Sequence, residues 1–196
     1  MATMILLPDG TTGTNDWTYS GGSSIDNAVT SDDGASSYAR EGSNNAQVTF
    51  TLADPSVDED DIDSITSVQI ILKANYTHPS AGATVGLRAQ QTGTGIFNGV
   101  DNFDVAGGAP YNAYTGTART TSALADWTYT NLENLRIKLL TTSAPASRTE
   151  LRVSYLYALV TYVEGGYGND VMGVASGNVA KVNGIAAGNI AKVNGI

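Results

Sequence analysis

Six carboxylates crowd one stretch of ten residues: Asp54, Asp58, Glu59, Asp60, Asp61 and Asp63. Calcium takes six to eight oxygen ligands, and clustered loop carboxylates are its usual source. Asp58, Asp60, Asp61 and Asp63 are therefore candidate ligands, and Asp32-Asp33 could join them if the fold brought them close. An EF-hand is excluded, because the run lacks the glycine at its sixth place and the glutamate at its twelfth. The competing reading is a solvated acidic loop between strands, and no metal or cofactor is expected as a resident group. A second candidate is aromatic. Tyr111, Tyr114, Trp127 and Tyr129 could form a platform on which sugar rings stack, or cover the end of a core as aromatics commonly do.

Other chemistries are poorly supplied. The chain has no cysteine and a single histidine, His78, placed before Pro79 as a turn residue would be. This excludes disulfides, thiolate sites, multi-histidine metal sites and most histidine-based triads. Neither a Gly-x-Ser-x-Gly elbow nor a Walker pattern occurs. Paired carboxylates can hydrolyse glycosides, but here many acids stand without a surrounding catalytic pattern. Asn75-Tyr76-Thr77 is a formal glycosylation acceptor, but it lies inside a strand pattern. A non-enzyme is expected.

The formal charge is −9 over 196 residues. Residues 1–164 carry 18 acidic and 8 basic groups, whereas the remainder carries Asp170 against Lys181 and Lys192. An acidic body repels phosphate backbones, so nucleic acid is not an expected partner. No apolar run approaches a membrane span, and the first residues lack the charged and apolar regions of a signal peptide. A cytoplasmic origin is the expectation, with the protein kept there until assembly or lysis.

These groups must be positioned by strands. Ala46–Leu52 alternates apolar and polar residues with period 2. Val68, Ile70, Leu72, Ala74 and Tyr76 line one face of the next strand, opposite Gln69, Lys73, Asn75 and Thr77. Val85, Leu87 and Ala89 alternate with Gly86, Arg88 and Gln90, and Leu135, Ile137 and Leu139 with Arg136 and Lys138. Leu151–Val163 is apolar at most positions, as in a strand buried on both faces or packed on a neighbouring subunit. Weaker strands are expected at Met4–Leu7, Ser36–Arg40, Ile96–Phe97 and Asn112–Thr115. The pattern predicts an all-β, jelly-roll-like antiparallel β-sandwich. The division expected is an N-terminal arm over 1–14, a sandwich over 15–164, and a Gly hinge with a short C-terminal repeat tail over 165–196.

That tail repeats with a period of 11 residues: Gly173-Val174-Ala175-Ser176-Gly177-Asn178-Val179-Ala180-Lys181-Val182-Asn183, then Gly184-Ile185-Ala186-Ala187-Gly188-Asn189-Ile190-Ala191-Lys192-Val193-Asn194. The preferred reading of each unit is a helical turn over Asn178–Val182 ended by Asn183-Gly184. The competing reading is two short strands joined at that Asn-Gly pair. Val174, Val179, Val182, Ile185, Ile190, Val193 and Ile196 form an apolar series that so small a unit cannot bury alone. They are the candidate assembly residues. Ten tyrosines against few lysines also suit a subunit with extensive interfaces.

The body resembles jelly-roll structural proteins of tailed bacteriophages. The resemblance rests on Asp32-Asp33-Gly34-Ala35-Ser36-Ser37-Tyr38, Ser67-Val68-Gln69-Ile70, Asp126-Trp127-Thr128 leading to Leu132 and Leu135, and the closing strand Arg152–Tyr162, spanning about residues 15–163. The Ala-Lys-Val-Asn-Gly-Ile units of the tail are similar to C-terminal repeats of virion proteins. The resemblance implies a structural subunit of the virion, foremost a capsid decoration or cement protein held by its terminal segments, with copies of itself and other virion proteins as partners. It offers no catalytic residues. The alternatives are a tail-fibre or filament-forming subunit, or a carbohydrate-binding module for host adsorption with a glycan as partner.

Overall fold

The computed structural model describes residues 1–33, 36–79, 81–91, 95–96, 100–122, 125–143, 149–165, 181–182 and 185–186. In chain order the strands are β1 (Ala2–Leu6), β2 (Pro8–Thr11), β3 (Thr18–Ser20), β4 (Tyr38–Glu41), β5 (Gln47–Leu52), β6 (Ile62–Tyr76), β7 (Ala83–Gln91) and β8 (Gly95–Ile96). There follow β9 (Asp101–Val105), β10 (Asn112–Thr115), β11 (Thr121–Ser122), β12 (Ala125–Asp126), β13 (Leu135–Ser143), β14 (Leu151–Glu164), β15 (Lys181–Val182) and β16 (Ile185–Ala186). One short helix, α1 (Tyr129–Glu133), precedes β13. Its start is fixed by a capping box: Thr128 accepts from the Asn131 amide while the Asn131 side chain accepts from the Thr128 amide.

Two six-stranded antiparallel sheets form the sandwich. Sheet A runs β10-β6-β14-β4-β3, with β1 also on β14, and sheet B runs β2-β5-β13-β7-β8, with β9 also on β7. Alternation decides which side each strand buries. In β6 the inward residues Val68, Ile70, Leu72, Ala74 and Tyr76 are buried, as are Val48, Phe50 and Leu52 in β5 and Leu135, Ile137 and Leu139 in β13. These meet Leu156, Ala158 and Val160 of β14 in one core. The all-β expectation therefore holds.

Three expectations are corrected. Residues 1–14, expected as an N-terminal arm apart from a sandwich over 15–164, contribute strands to it: β1 pairs with β14 over Ala2–Leu6, and β2 pairs with β5, so the segment joins both sheets. β14 is not buried on both faces. Its register against β6 slips between Val153 and Tyr155, and Val153 and Ser154 are both buried there. This bulge sends Tyr155, Tyr157, Leu159 and Thr161 outward, half-buried, and Leu156, Ala158, Val160 and Tyr162 inward. In the tail, Lys181↔Ala186 and Val182↔Ile185 pair antiparallel, so Lys181–Val182 is strand rather than helical turn. Val174, Val179, Ile190, Val193 and Ile196 lie outside the described residues.

Candidate functional site

The outer face of sheet A gathers side chains that are far apart in the chain. Register sets them in rows. Asn75 of β6 faces Arg152 of β14, which faces Arg40 of β4. In the next rows Ala113 faces Lys73 and Lys73 faces Tyr155, then Thr115 faces Ile71 and Ile71 faces Tyr157. The rings of Tyr155 and Tyr157 lie 5.0 Å apart, tilted by 41°. Tyr38, two residues before Arg40, carries the Arg152 guanidinium 4.5 Å above its ring centre. Such a contact attracts the cation to the ring face and helps hold it in place.

The charges on this face are neutralised locally. Glu150 accepts from Arg40 Nη1 at 2.9 Å and, through its other oxygen, from Arg152 Nε at 2.9 Å and Nη2 at 2.8 Å. Glu150 is itself fixed, because its amide donates to Thr77 Oγ1 and its carbonyl accepts from the Thr77 amide. Lys73 pairs with Asp32. Asp33 accepts from the Ser36 and Ser37 amides and from Ser37 Oγ, which ties the approach to β4 into a compact turn beside the face. Gly21 admits that turn: its φ is +69°, and a Cβ there would come within 2.4 Å of the Ser36 carbonyl oxygen.

Tyr111 precedes β10 and lies close to Arg152, Tyr38 and Asp33. Burial pushes its hydroxyl up to about 12, against the opposing pull of the Arg152 cation. The hydroxyl makes no hydrogen bond of good geometry, and neither does Asn75 Oδ1 in the neighbouring row. Burial also raises the Tyr155 hydroxyl, with smaller additions from Tyr157 and Asp32. The face thus combines half-buried aromatic rings with amide, hydroxyl and paired ionic groups. It can stack on the flat side of a sugar ring and hydrogen-bond its hydroxyls.

The four aromatics singled out from sequence do not share one face. Only Tyr111 belongs to the face just described. Tyr114 points to the other side of β10 and packs on Phe103, ring centres 5.6 Å apart. Trp127 is 5% exposed, within the core, and its indole N–H donates to the Arg119 carbonyl at 2.8 Å. Tyr129 donates to the Val57 carbonyl, and burial, followed by the nearby acids Glu133 and Asp58, raises its hydroxyl. Tyr38, Tyr155 and Tyr157 are the residues that sequence reasoning missed. A signal existed: from residue 155 to 162 the outward and inward sets alternate, and only the bulge breaks the period.

The acidic loop also stays apart. Asp58, Asp60 and Asp63 are exposed and Asp61 is half-buried around a short 3-10 turn at Glu59–Asp61. Among the described residues no group of three or more potential ligands is placed to hold a metal ion. Asp32 and Asp33 are engaged on the sheet A side instead. His78 accepts from the Ala81 amide at 2.7 Å and stacks on Tyr76, as a turn residue does. At the sandwich edge Asp101 accepts from Thr117 and Arg119, joining β9 of sheet B to a segment that bridges β6 of sheet A through Val68↔Arg119.

No protein-family model and no curated protein matches the chain. Among solved structures it is similar to the C-terminal CBM6 of LamC, a marine laminarinase from Zobellia galactanivorans. That similarity has a TM-score of 0.44 and 11% identity and covers 82% of this chain and 99% of that one. It is similar to the CBM36-1 domain of a multidomain xylanase from the hindgut metagenome of Trinervitermes trinervoides, at TM-score 0.41 and 14% identity, covering 82% and 97%. It is also similar to the enzymatically active domain of bacteriophage CBA120 tailspike protein 4, at TM-score 0.33 and 14% identity, covering 83% of this chain and 19% of that one. These neighbours are carbohydrate-binding modules and a phage tailspike, and the likeness is one of β-sandwich fold.

Proposed function

We propose that the protein is a non-enzymatic binding module whose sheet A outer face takes a neutral glycan. The observation that carries this reading is the convergence of Tyr38, Tyr155 and Tyr157 with the ion-paired Arg40, Arg152 and Lys73 on one sheet face. Rings supply stacking area, and polar groups already held in place read hydroxyls with little further ordering. Neutral sugars suit the face because Asp32, Asp33 and Glu150 balance its three cations. An anionic sugar would meet carboxylates as often as guanidinium groups. The test is isothermal titration with matched neutral and uronate oligosaccharides. Binding of a neutral series is expected. Failure of every neutral glycan to bind would refute the reading.

A second reading rests on the 11-residue repeat. The sandwich is displayed by a larger assembly, a virion in the version the sequence resemblance implies, and its tail holds it there. Repeated weak contacts act together through avidity. Deleting residues 166–196 is expected to leave a folded sandwich that binds glycan but no longer incorporates into its particle. Normal incorporation of the truncated chain would refute this reading.

A further inference from the structure

The described sandwich separates its cations into two classes. Arg40, Lys73, Arg119 and Arg152 each pair with a carboxylate. Arg88, Arg136 and Lys138 pair with none among the described residues, and all three stand on the outer face of sheet B. There Lys138 is directly opposite Arg88 across β13 and β7, and Arg136 follows two residues away opposite Gln90. Like charges set directly opposite destabilise a strand pair. No aromatic ring lies among the outward residues of β5, β7 and β13, so the centre of the face offers charge and hydrogen bonds rather than stacking, and its carboxylates, Asp9 and Asp104, lie on the flanking strands β2 and β9, each accepting from a threonine, Thr51 and Thr84. The same molecule carries the complementary half. Asp54, Asp58, Asp60 and Asp63 are exposed, and no cation pairs with them among the described residues. Within one copy the two sets form no ion pair.

We infer that the outer face of sheet B is a docking surface for a second copy of this chain. The acidic loop of one copy, residues 54–63, seats on Arg88, Arg136 and Lys138 of the next. The contact joins two different patches, so it propagates from copy to copy unless symmetry closes it. It forms against the repulsion between two acidic bodies. It is therefore local: salt at 0.15 M screens the repulsion between the bodies beyond about 8 Å, and salt near 1 M, where screening begins at about 3 Å, weakens the contact itself.

Sedimentation velocity of the full chain tests this at low salt, about 0.15 M, and high salt, about 1 M. The expected result is self-association at low salt that is lost at high salt. Arg136→Glu with Lys138→Glu, and separately Asp58→Lys with Asp60→Lys, are each expected to give monomers, and mixing the two variants to restore association. All four positions are solvent-facing, so these changes spare the core. A wild type that stays monomeric at low salt would overturn the inference. So would association that is indifferent to the reversals, or variants that fail to associate when mixed. Retention of wild type on an anionic polymer without self-association would overturn the second-copy assignment.

Discussion

The two outer faces of this sandwich are built on the same pleat from opposite chemistry. Sheet A presents Tyr38, Tyr155 and Tyr157 among cations that are each matched by a carboxylate. Sheet B presents threonine, glutamine, Leu140 and three cations without a carboxylate partner among the described residues, with Asp9 and Asp104 held by threonines on its flanking strands. A core of Val, Leu, Ile and Phe side chains lies between them and favours neither. The difference therefore teaches that function on this fold resides in the outward half of each alternation. A face that neutralises its own charge and exposes rings suits an uncharged, flat ligand. A face that leaves charge uncompensated suits a charged partner.

The largest expected effect removes what the two faces share. Phe50 is fully buried, and Phe50→Ala is expected to cost about 3–5 kcal/mol in urea unfolding. Both faces should be lost in one transition, and separate transitions would break the comparison by making the sheets independent bodies. Next, Tyr155→Ala and Tyr157→Ala should each weaken glycan binding at least about tenfold, or about 1.4 kcal/mol by titration calorimetry, without altering self-association.

Glu150→Gln sharpens the contrast, because it makes sheet A resemble sheet B. Arg40 and Arg152 would lose their shared carboxylate. Both pairs are partly exposed, so stability should fall by only about 1 kcal/mol. Uronate oligosaccharides should gain affinity relative to neutral ones, and an unchanged preference would mean that local neutrality does not set specificity. The smallest effect is expected from Tyr111→Phe. It removes a buried hydroxyl that lacks a good partner, so stability near neutral pH should stay within about 1 kcal/mol of wild type. Tyr111 has a raised folded value of about 12. Its contribution is therefore intact below the ordinary tyrosine value and declines as pH rises from about 10 towards 12. The variant should lose that alkaline decline and the latest-titrating tyrosine absorbance.

Much of the fold is legible in the sequence, because alternation in β5, β7, β13 and the Val68–Tyr76 part of β6 is sufficient to assign inward and outward residues. β10 is expected at Asn112–Thr115 and observed there. β2, β3 and β9 are not legible. Pro8–Thr11 and Asp101–Val105 are rich in residues that signal turns, and their neighbours in the sheets make them strands. The tail misread has a local cause, since Asn-Gly ends helices and joins hairpins equally well. The candidate site is the least legible part. The rows Asn75–Arg152–Arg40 and Lys73–Tyr155 exist only through cross-strand register, which no local pattern encodes. The bulge between Val153 and Tyr155 then hides the alternation that would have marked Tyr155 and Tyr157 as outward. Trp127 shows the converse case: its indole N–H is satisfied by the Arg119 carbonyl, so it serves the interior, in line with the reading that aromatics cover a core.

Affinity electrophoresis through gels containing neutral polysaccharides separates the two faces in one experiment. At least one polymer is expected to retard the wild type. The sheet B reversal at Arg136 and Lys138 should be retarded equally, and the Tyr155→Ala/Tyr157→Ala variant should migrate freely. Equal retardation of the tyrosine variant, or free migration of the wild type through every neutral polymer, would contradict glycan binding by the outer face of sheet A.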